Sequence, residues 1–459
     1  MRISRFPAPY EAAIAVSDDP DNSTLASFTA MYDFLAGIGF PTTRAMWTFE
    51  REEFTGTPPL PIEFSAPLLK DPDCLDYCRR LRTAGFEICL HGASSGNNTR
   101  ERTVAALDAL ESSLGASPVF VFHSKNAENL YWDASVASSK IGRALLGLYT
   151  RNRCFGEVSG SRYFWGDVCR ERVRFIRMFR TRRLDTLAEN PSMPYHDFRK
   201  PFVNFWFSAT KGHIPRLFAG ENIERLRRRN GASVLYQYLD RYVDAEGRIP
   251  ADVREALERV ASDGRIWKAP VSALLERLRR TRLVLIHRQG ERAWIVNAGR
   301  KPLEEVQVCG KPSDGMRADA PFRTDPGRGC LILSRLEPLS VVRVDEAGAS
   351  PGTTPEGERG VHVFKFAKGT AAANLADRPV EYRGSDRKVT IAPRGVHVEY
   401  LDPEAARLEV LEPPPRGEIR RMMLAQGLIL LREHVLLGRK VSVRGYLRDT
   451  GKVESQRNW

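Results

Sequence analysis

The chain has 459 residues, of which 42% are hydrophobic and 28% charged. That balance excludes a fibrous or wholly disordered protein and leaves room for about three domains, or one barrel with additions. Lys and Arg exceed Asp and Glu by 70 to 57, a net +13, and no apolar run approaches the roughly 18 residues of a spanning helix. The opening MRISRFPAPYEAAIAV meets prolines and Glu11 before any apolar stretch. It is unlike a signal peptide, so a cytoplasmic location is expected. The seven cysteines are odd in number, contain no CxxC pair and fit no disulfide framework, in keeping with a reducing compartment. Cys74 and Cys78 are spaced to share one face of a helix.

Through residue 280 the pattern alternates strand and helix. EAAIAVSDD (11–19) reads as a buried strand, followed by a helix with Leu25, Phe28, Tyr32 and Leu35 on one face and Ser23 as its cap. TTRAMWTFE (42–50) is a second strand. A helix near 73–84 leads to FEICLHGA (86–93), a third. Asn98 and Glu101 have the spacing of a capping box before the next helix, and PVFVFHSK (118–125) is a fourth strand. Further strands are expected near 156, 203 and 234, making seven, with helices near 222–230, 250–262 and 271–280. Seven strands alternating with helices predict an α/β fold, an irregular (β/α)7 barrel over 1–280. Short strands between Gly, Pro and Asp turns then predict a small β-sandwich over 281–346 and a further β segment over 361–412. The region 413–459 reads as a basic helical tail.

In parallel α/β folds the reactive groups gather at the carboxyl ends of strands. The first strand ends in Asp18-Asp19-Pro20-Asp21, three carboxylates that repel one another unless a cation or proton intervenes. The third ends at His91 and the fourth at His123. An aspartate and two histidines on neighbouring strand ends outline a divalent metal site.

VSDDPDN followed by GFEICLHGASSGNNTRE resembles the polysaccharide deacetylase superfamily, the NodB-homology domains of carbohydrate esterase family 4, in a divergent branch associated with surface-polysaccharide biosynthesis. The resemblance extends over about residues 8–280 and includes SRYFWGD, NPSMPYHD, VNFWFSATKGH and GRIWKAPVSALLERL. It implies the irregular barrel, a bound divalent metal, often zinc, and hydrolysis of an N- or O-acetyl group on a sugar. Carried over by position, Asp18 matches the general base, Asp19 the metal aspartate and His91 the first metal histidine. The family's second histidine position holds Ser95: either His123 supplies the missing nitrogen, which is the expected third ligand, or Ser95 or a water fills the place, or metal affinity is reduced. The strand VLYQYL has Gln237 and Tyr238 where many members carry the acid histidine, and His196 and His213 are the replacements considered.

The aromatic segments around Tyr131-Trp132 and Tyr163-Phe164-Trp165 suit sugar stacking, and Ser95, Trp132, Trp165 and Asp167 are the expected substrate contacts. The leading expectation is a metal-dependent carbohydrate deacetylase with a carbohydrate substrate, lipid-linked if the protein is cytoplasmic. The alternative is a glycan-binding or assembly protein on a degenerate barrel. A specific nucleic-acid partner is not expected, since no recognition motif accompanies the positive charge. The segment 417–437 is apolar over much of its circumference and flanked by arginines. It can pack on the chain, dimerise or attach to the inner membrane surface.

Overall fold

The computed structural model describes residues 1–52, 66–123, 126–136, 154–310, 316–345, 360–385 and 387–431. Two units are formed, one from Met1–Glu11 and Glu276–Pro413, the other from Ala12–Leu275 and the segment from Pro414 onward. The chain opens with β1 (Arg2–Pro7), in the first of these.

The second unit is the barrel. β2 (Ala12–Asp18), β3 (Thr43–Met46), β4 (Glu87–Leu90), β5 (Val119–Phe120), β6 (Phe175–Thr181), β7 (Phe205–Lys211) and β8 (Ala232–Gln237) pair in parallel in chain order. A β2–β3 pairing closes the ring. β2 reaches β3 only through Ser17 and Asp18, while its first half, Ala12 to Ile14, pairs with β9 (Ile266–Lys268). This is the irregular seven-stranded barrel expected. Strand alternation sorts the side chains. Ile14 and Val16 of β2 join Phe28, Met31 and Tyr32 of α1 (Leu25–Gly37) in the core between strands and helices.

The fifth strand is Phe175–Thr181, not the expected one near 156, where the chain makes turns. FIRMFRT carries arginines at 177 and 180 and so does not read as a buried strand. Arg177 is nonetheless buried, and its charge is met inside the barrel by Asp19.

Two helix caps sit one residue beyond their expected positions. α1 is capped by Thr24, in a reciprocal pair with Ser27. After α2 (Pro72–Thr83), whose buried face carries Cys74 and Cys78, α3 (Arg100–Leu114) is capped by Thr99. Ser23 and Asn98, the expected caps, are bonded to Arg44 and Glu128 instead.

In the other unit, β10 (Val284–Gln289), β11 (Arg292–Asn297), β13 (Arg317–Ala318) and β16 (Ser340–Asp345) form one antiparallel sheet. β1, β12 (Leu303–Cys309), β14 (Phe322–Asp325) and β15 (Cys330–Leu336) form another. Ile295, Val306, Leu331, Leu333 and Val344 fill the space between them. A third sheet of β17 (Val361–Phe366), β18 (Gly369–Asn374) and β21 (Val396–Tyr400) packs through Ala371, Ala373 and Val396 on Trp294 and Val296. β19 (Val380–Arg383) and β20 (Lys388–Ile391) make a hairpin. Cys309 and Cys330, opposite each other in the β12–β15 register, are joined by a disulfide. This corrects the expectation of none: the register, not the sequence spacing, brings them together.

α4 (Arg416–Leu431) begins in the barrel unit. Ile419 and Met422 enter the barrel core, and the Glu418 carboxylate accepts from the Ser192 backbone N–H and hydroxyl at 2.8 Å each. Residues 432–437 of the apolar segment lie outside the described residues. Among the described residues, no helix is long and apolar enough to cross a membrane.

Candidate metal centre

Side-chain donors of Asp21, His91 and His123 converge at the carboxyl ends of β2, β4 and β5, all within 4.8 Å of one another and all buried. Each imidazole is held through Nδ1. His91 Nδ1 lies 3.1 Å from the Val121 carbonyl, which can only accept, so Nδ1 carries the proton and Nε2 faces the centre with its lone pair. His123 Nδ1 lies 2.9 Å from Asn126 Oδ1. The Asn126 orientation is fixed by its other end, where Nδ2 meets the Ser94 and Gly96 carbonyls and Glu128 Oε1, all acceptors. His123 Nδ1 is therefore also a donor. Burial holds His123 below the usual imidazole range. Trp47 packs against both rings, and its indole N–H donates to the His91 carbonyl at 3.0 Å.

His91 Nε2 faces Asp21 Oδ1 at 3.4 Å. Burial would raise the Asp21 pKa, but the His91 contact and the charges of His123, His91 and Arg241 prevail and hold it at about 2. A lone pair facing a carboxylate oxygen at that distance needs a cation between them or a second proton on His91. Two anchored imidazoles and one carboxylate suit a divalent ion such as zinc. The donor set fits the cofactor implied by the resemblance, with Asp21 supplying the carboxylate.

Asp19, the expected metal aspartate, is bonded through both oxygens to Arg177, at 2.8 and 2.7 Å. Its Oδ2 is 3.7 Å from His91 Nε2, so it borders the centre. Asp18, the expected base, points the other way. It follows Ile14 and Val16 on the helix-facing side of β2, where Arg44 Nη1 (2.5 Å), the Tyr32 hydroxyl (2.9 Å) and the Leu239 N–H (2.6 Å) occupy its oxygens. Arg44 also bonds Asp240 at 2.6 Å and Ser23 at 3.1 Å. Burial, opposed by Arg44, leaves the Asp18 carboxyl raised to about 6.

His196 and His213 occupy different ends of the barrel. His196 bonds the Asn204 carbonyl at 2.8 Å, just before β7 begins, away from the metal donors. His213 is exposed, follows the carboxyl end of β7, and packs on Tyr242. Of the expected sugar contacts, Trp165 is fully buried, with its ring against Phe120 and its N–H on the Glu128 carbonyl at 2.6 Å. That makes it core. Asp167 is held by Arg100. Trp132 is half-buried, edge-on to Phe122, and Ser95 is buried in the loop after β4.

That loop is fixed by Asn98, expected only as a helix cap, and by Asn126 and Glu128, which sequence reasoning did not single out. Asn98 Nδ2 and Asn126 Nδ2 both donate to Glu128 Oε1, at 2.6 and 3.0 Å, and the Asn98 N–H donates to Oε2 at 3.0 Å. Burial prevails over these donors and pushes the Glu128 carboxyl up to about 7. Gly92 turns the chain out of β4 at φ +94°, a conformation that a side chain rarely adopts. A Cβ on Gly156 would collide with the Glu128 carbonyl.

No family model and no curated protein matches the sequence. Several solved structures are similar to it. One is a proposed polysaccharide deacetylase from Mycobacterium smegmatis, at 14% identity over 62% of this chain and 96% of that one, with a TM-score of 0.35. Another is an allantoinase, at 11% identity over 60% and 93%, TM-score 0.34. A third is a family 4 acetyl xylan esterase from Clostridium thermocellum, in complex with a cobalt ion, at 11% identity over 56% and 98%, TM-score 0.19.

Proposed function

We propose that this chain is a metal-dependent hydrolase that removes an acetyl group from a carbohydrate. The observation that carries the reading is the convergence of Asp21, His91 and His123 at the carboxyl ends of the barrel strands. Together with the VSDDPDN and FEICLHGA motifs, it supports deacetylase chemistry. A divalent ion held there would polarise the acyl carbonyl and make water acidic enough to yield a nucleophile near neutral pH. Asp19 would accept the proton from a water at that centre, and Arg177 fixes the orientation of its carboxylate. Asp18 serves instead as the anchor of Arg44, because it lies on the helix-facing side of β2, turned away from the metal donors that Asp19 borders. His213, at the same end of the barrel as the metal donors, is the group assigned to protonate the leaving atom.

The test is metal analysis and acetate release on the same preparation of full-length protein. Asp21→Asn and His91→Ala should lose stoichiometric metal. Asp19→Asn should retain it and lose turnover by roughly 10²–10⁴-fold. Protein that binds no divalent ion would overturn the assignment. Metal bound without acetate release from N- or O-acetylated sugars would favour a glycan-binding role, which the full engagement of Asp18 and the absence of a histidine at Gln237 and Tyr238 also support.

A further inference from the structure

Arg177 of β6 is buried in the barrel and is held both by its edge and by its face. At the edge, Nη1 and Nη2 donate to the two oxygens of Asp19 at 2.8 and 2.7 Å, and Nη1 also donates to the Ser17 hydroxyl at 3.1 Å. On the face, the guanidinium carbon lies 4.0 Å from the centroid of the Tyr236 ring. Ser17 and Tyr236 are partners in the β2–β8 register, so their side chains turn to the same side of the sheet. The hydroxyl of Tyr236 is hydrogen-bonded to that of Tyr238, and the Asp19 N–H donates to the Gln237 carbonyl at 3.0 Å. The ends of β2 and β8 therefore grip this arginine together.

A guanidinium carries its five N–H donors in its plane and none on its faces. Bonds to Asp19 and Ser17 settle where the edge points, but they leave the plane able to tilt. A ring against the face stops that tilt, and the attraction between cation and ring adds to the hold. Desolvation pushes both phenols above their usual range, so the rings stay neutral and leave the Arg177 charge to Asp19.

The hold has a consequence for the metal donors. Asp19 Oδ2 is bonded to Arg177 Nη2 and lies 3.7 Å from His91 Nε2. An ion bonded to a histidine stands about 2.0–2.1 Å from its nitrogen. A small movement of Asp19 would therefore turn it from a neighbour of the ion into a ligand.

We infer that Tyr236 is a positioning residue: by covering the face of Arg177 it keeps the Asp19 carboxylate beside the metal and out of its ligand set. This rests on the proposed function and names what separates base from ligand there. Full-length protein loaded with cobalt(II) tests it, since the visible absorption of that ion reports its ligands. Tyr236→Leu removes the ring. It should change the position and intensity of the cobalt bands and lower kcat about tenfold or more, with KM near the parent value. Tyr236→Met fills more of the space if Tyr236→Leu does not fold, and it is read in the same way. Tyr236→Phe keeps the ring and should restore the parent spectrum and kcat. A parent spectrum in the folded Leu or Met variant, or a Phe variant as altered as these, would overturn the role of Tyr236 alone. The expected contrast in spectra without acetate release would overturn the hydrolase reading alone. Protein that takes up no cobalt would overturn both.

Discussion

The two sides of the barrel mouth hold their polar residues by opposite means. Around the ends of β2, β3 and β8 the bonds are ionic: Arg44 joins Asp18 and Asp240, and Arg177 grips Asp19. Around the ends of β4 and β5 they are nearly all between neutral groups. Asn98, Asn126 and backbone carbonyls fix the loops, and Glu128 is the one carboxyl among them. The division has a chemical logic. Amides and carbonyls hold His91 and His123 by Nδ1 without adding charge, so each Nε2 lone pair stays available for a cation. Carboxylates near a metal donor set need counter-charges that decide which of them face it, and the arginines on this side supply that choice.

The ionic side should break hardest. Arg44→Met leaves Asp18 and Asp240 buried together without a cation and should cost about 3–5 kcal/mol of stability, read from urea unfolding. A loss below about 1 kcal/mol would show that the pair does not depend on dehydrated charge.

On the neutral side, Glu128 gives a pH signature. Its folded pKa of about 7 lies above the 4.5 of a free glutamate. The folded protein keeps a proton that the unfolded chain releases. This contribution is therefore full below about pH 4.5 and is lost as pH rises through 7, by about 3 kcal/mol. Urea midpoints at pH 4.5 and 7.5 should show the fall in the parent and a flatter profile in Glu128→Gln. A parent no less stable at 7.5 than its variant would place the carboxyl's pKa near that of the unfolded chain.

Asn126→Ala removes the acceptor that orients His123. Metal affinity, measured by competition with a chelator, should fall about 10–100-fold while the fold survives. Unchanged affinity would mean His123 needs no such guide. The smallest effect is expected from Trp165→Phe, which keeps the packing on Phe120 and loses one bond to the Glu128 carbonyl, for about 1 kcal/mol by thermal unfolding.

Much of the barrel was legible from local pattern. Six of its strands were found because β-branched and apolar runs alternate with helices at short spacing. The remaining one, the fifth, Phe175–Thr181, escaped because Arg177 interrupts its apolar run, and only a partner 158 residues away in sequence makes that arginine a core residue. The same residue hides in the site. His91 and His123 could be picked out from strand ends, since their chemistry is local. Which aspartate joins them could not, because the choice among Asp18, Asp19 and Asp21 depends on where Arg44 and Arg177 lie. One sign was present: Asp18 continues the Ile14–Val16 alternation and so belongs to the helix-facing side.

By itself, then, the sequence determined the strand and helix alternation, the end of the barrel that carries the polar groups, and the two histidines. Periodicity and strand termini are properties of neighbouring residues. Tertiary structure alone decided the carboxylate beside them, the buried arginine partners, the caps moved to Thr24 and Thr99, and the Cys309–Cys330 bond. Each of these depends on burial and charge balance between segments far apart in the chain. A buried ion needs its counter-charge within a few ångströms, and only the closed barrel brings Arg44 to Asp18 and Arg177 to Asp19.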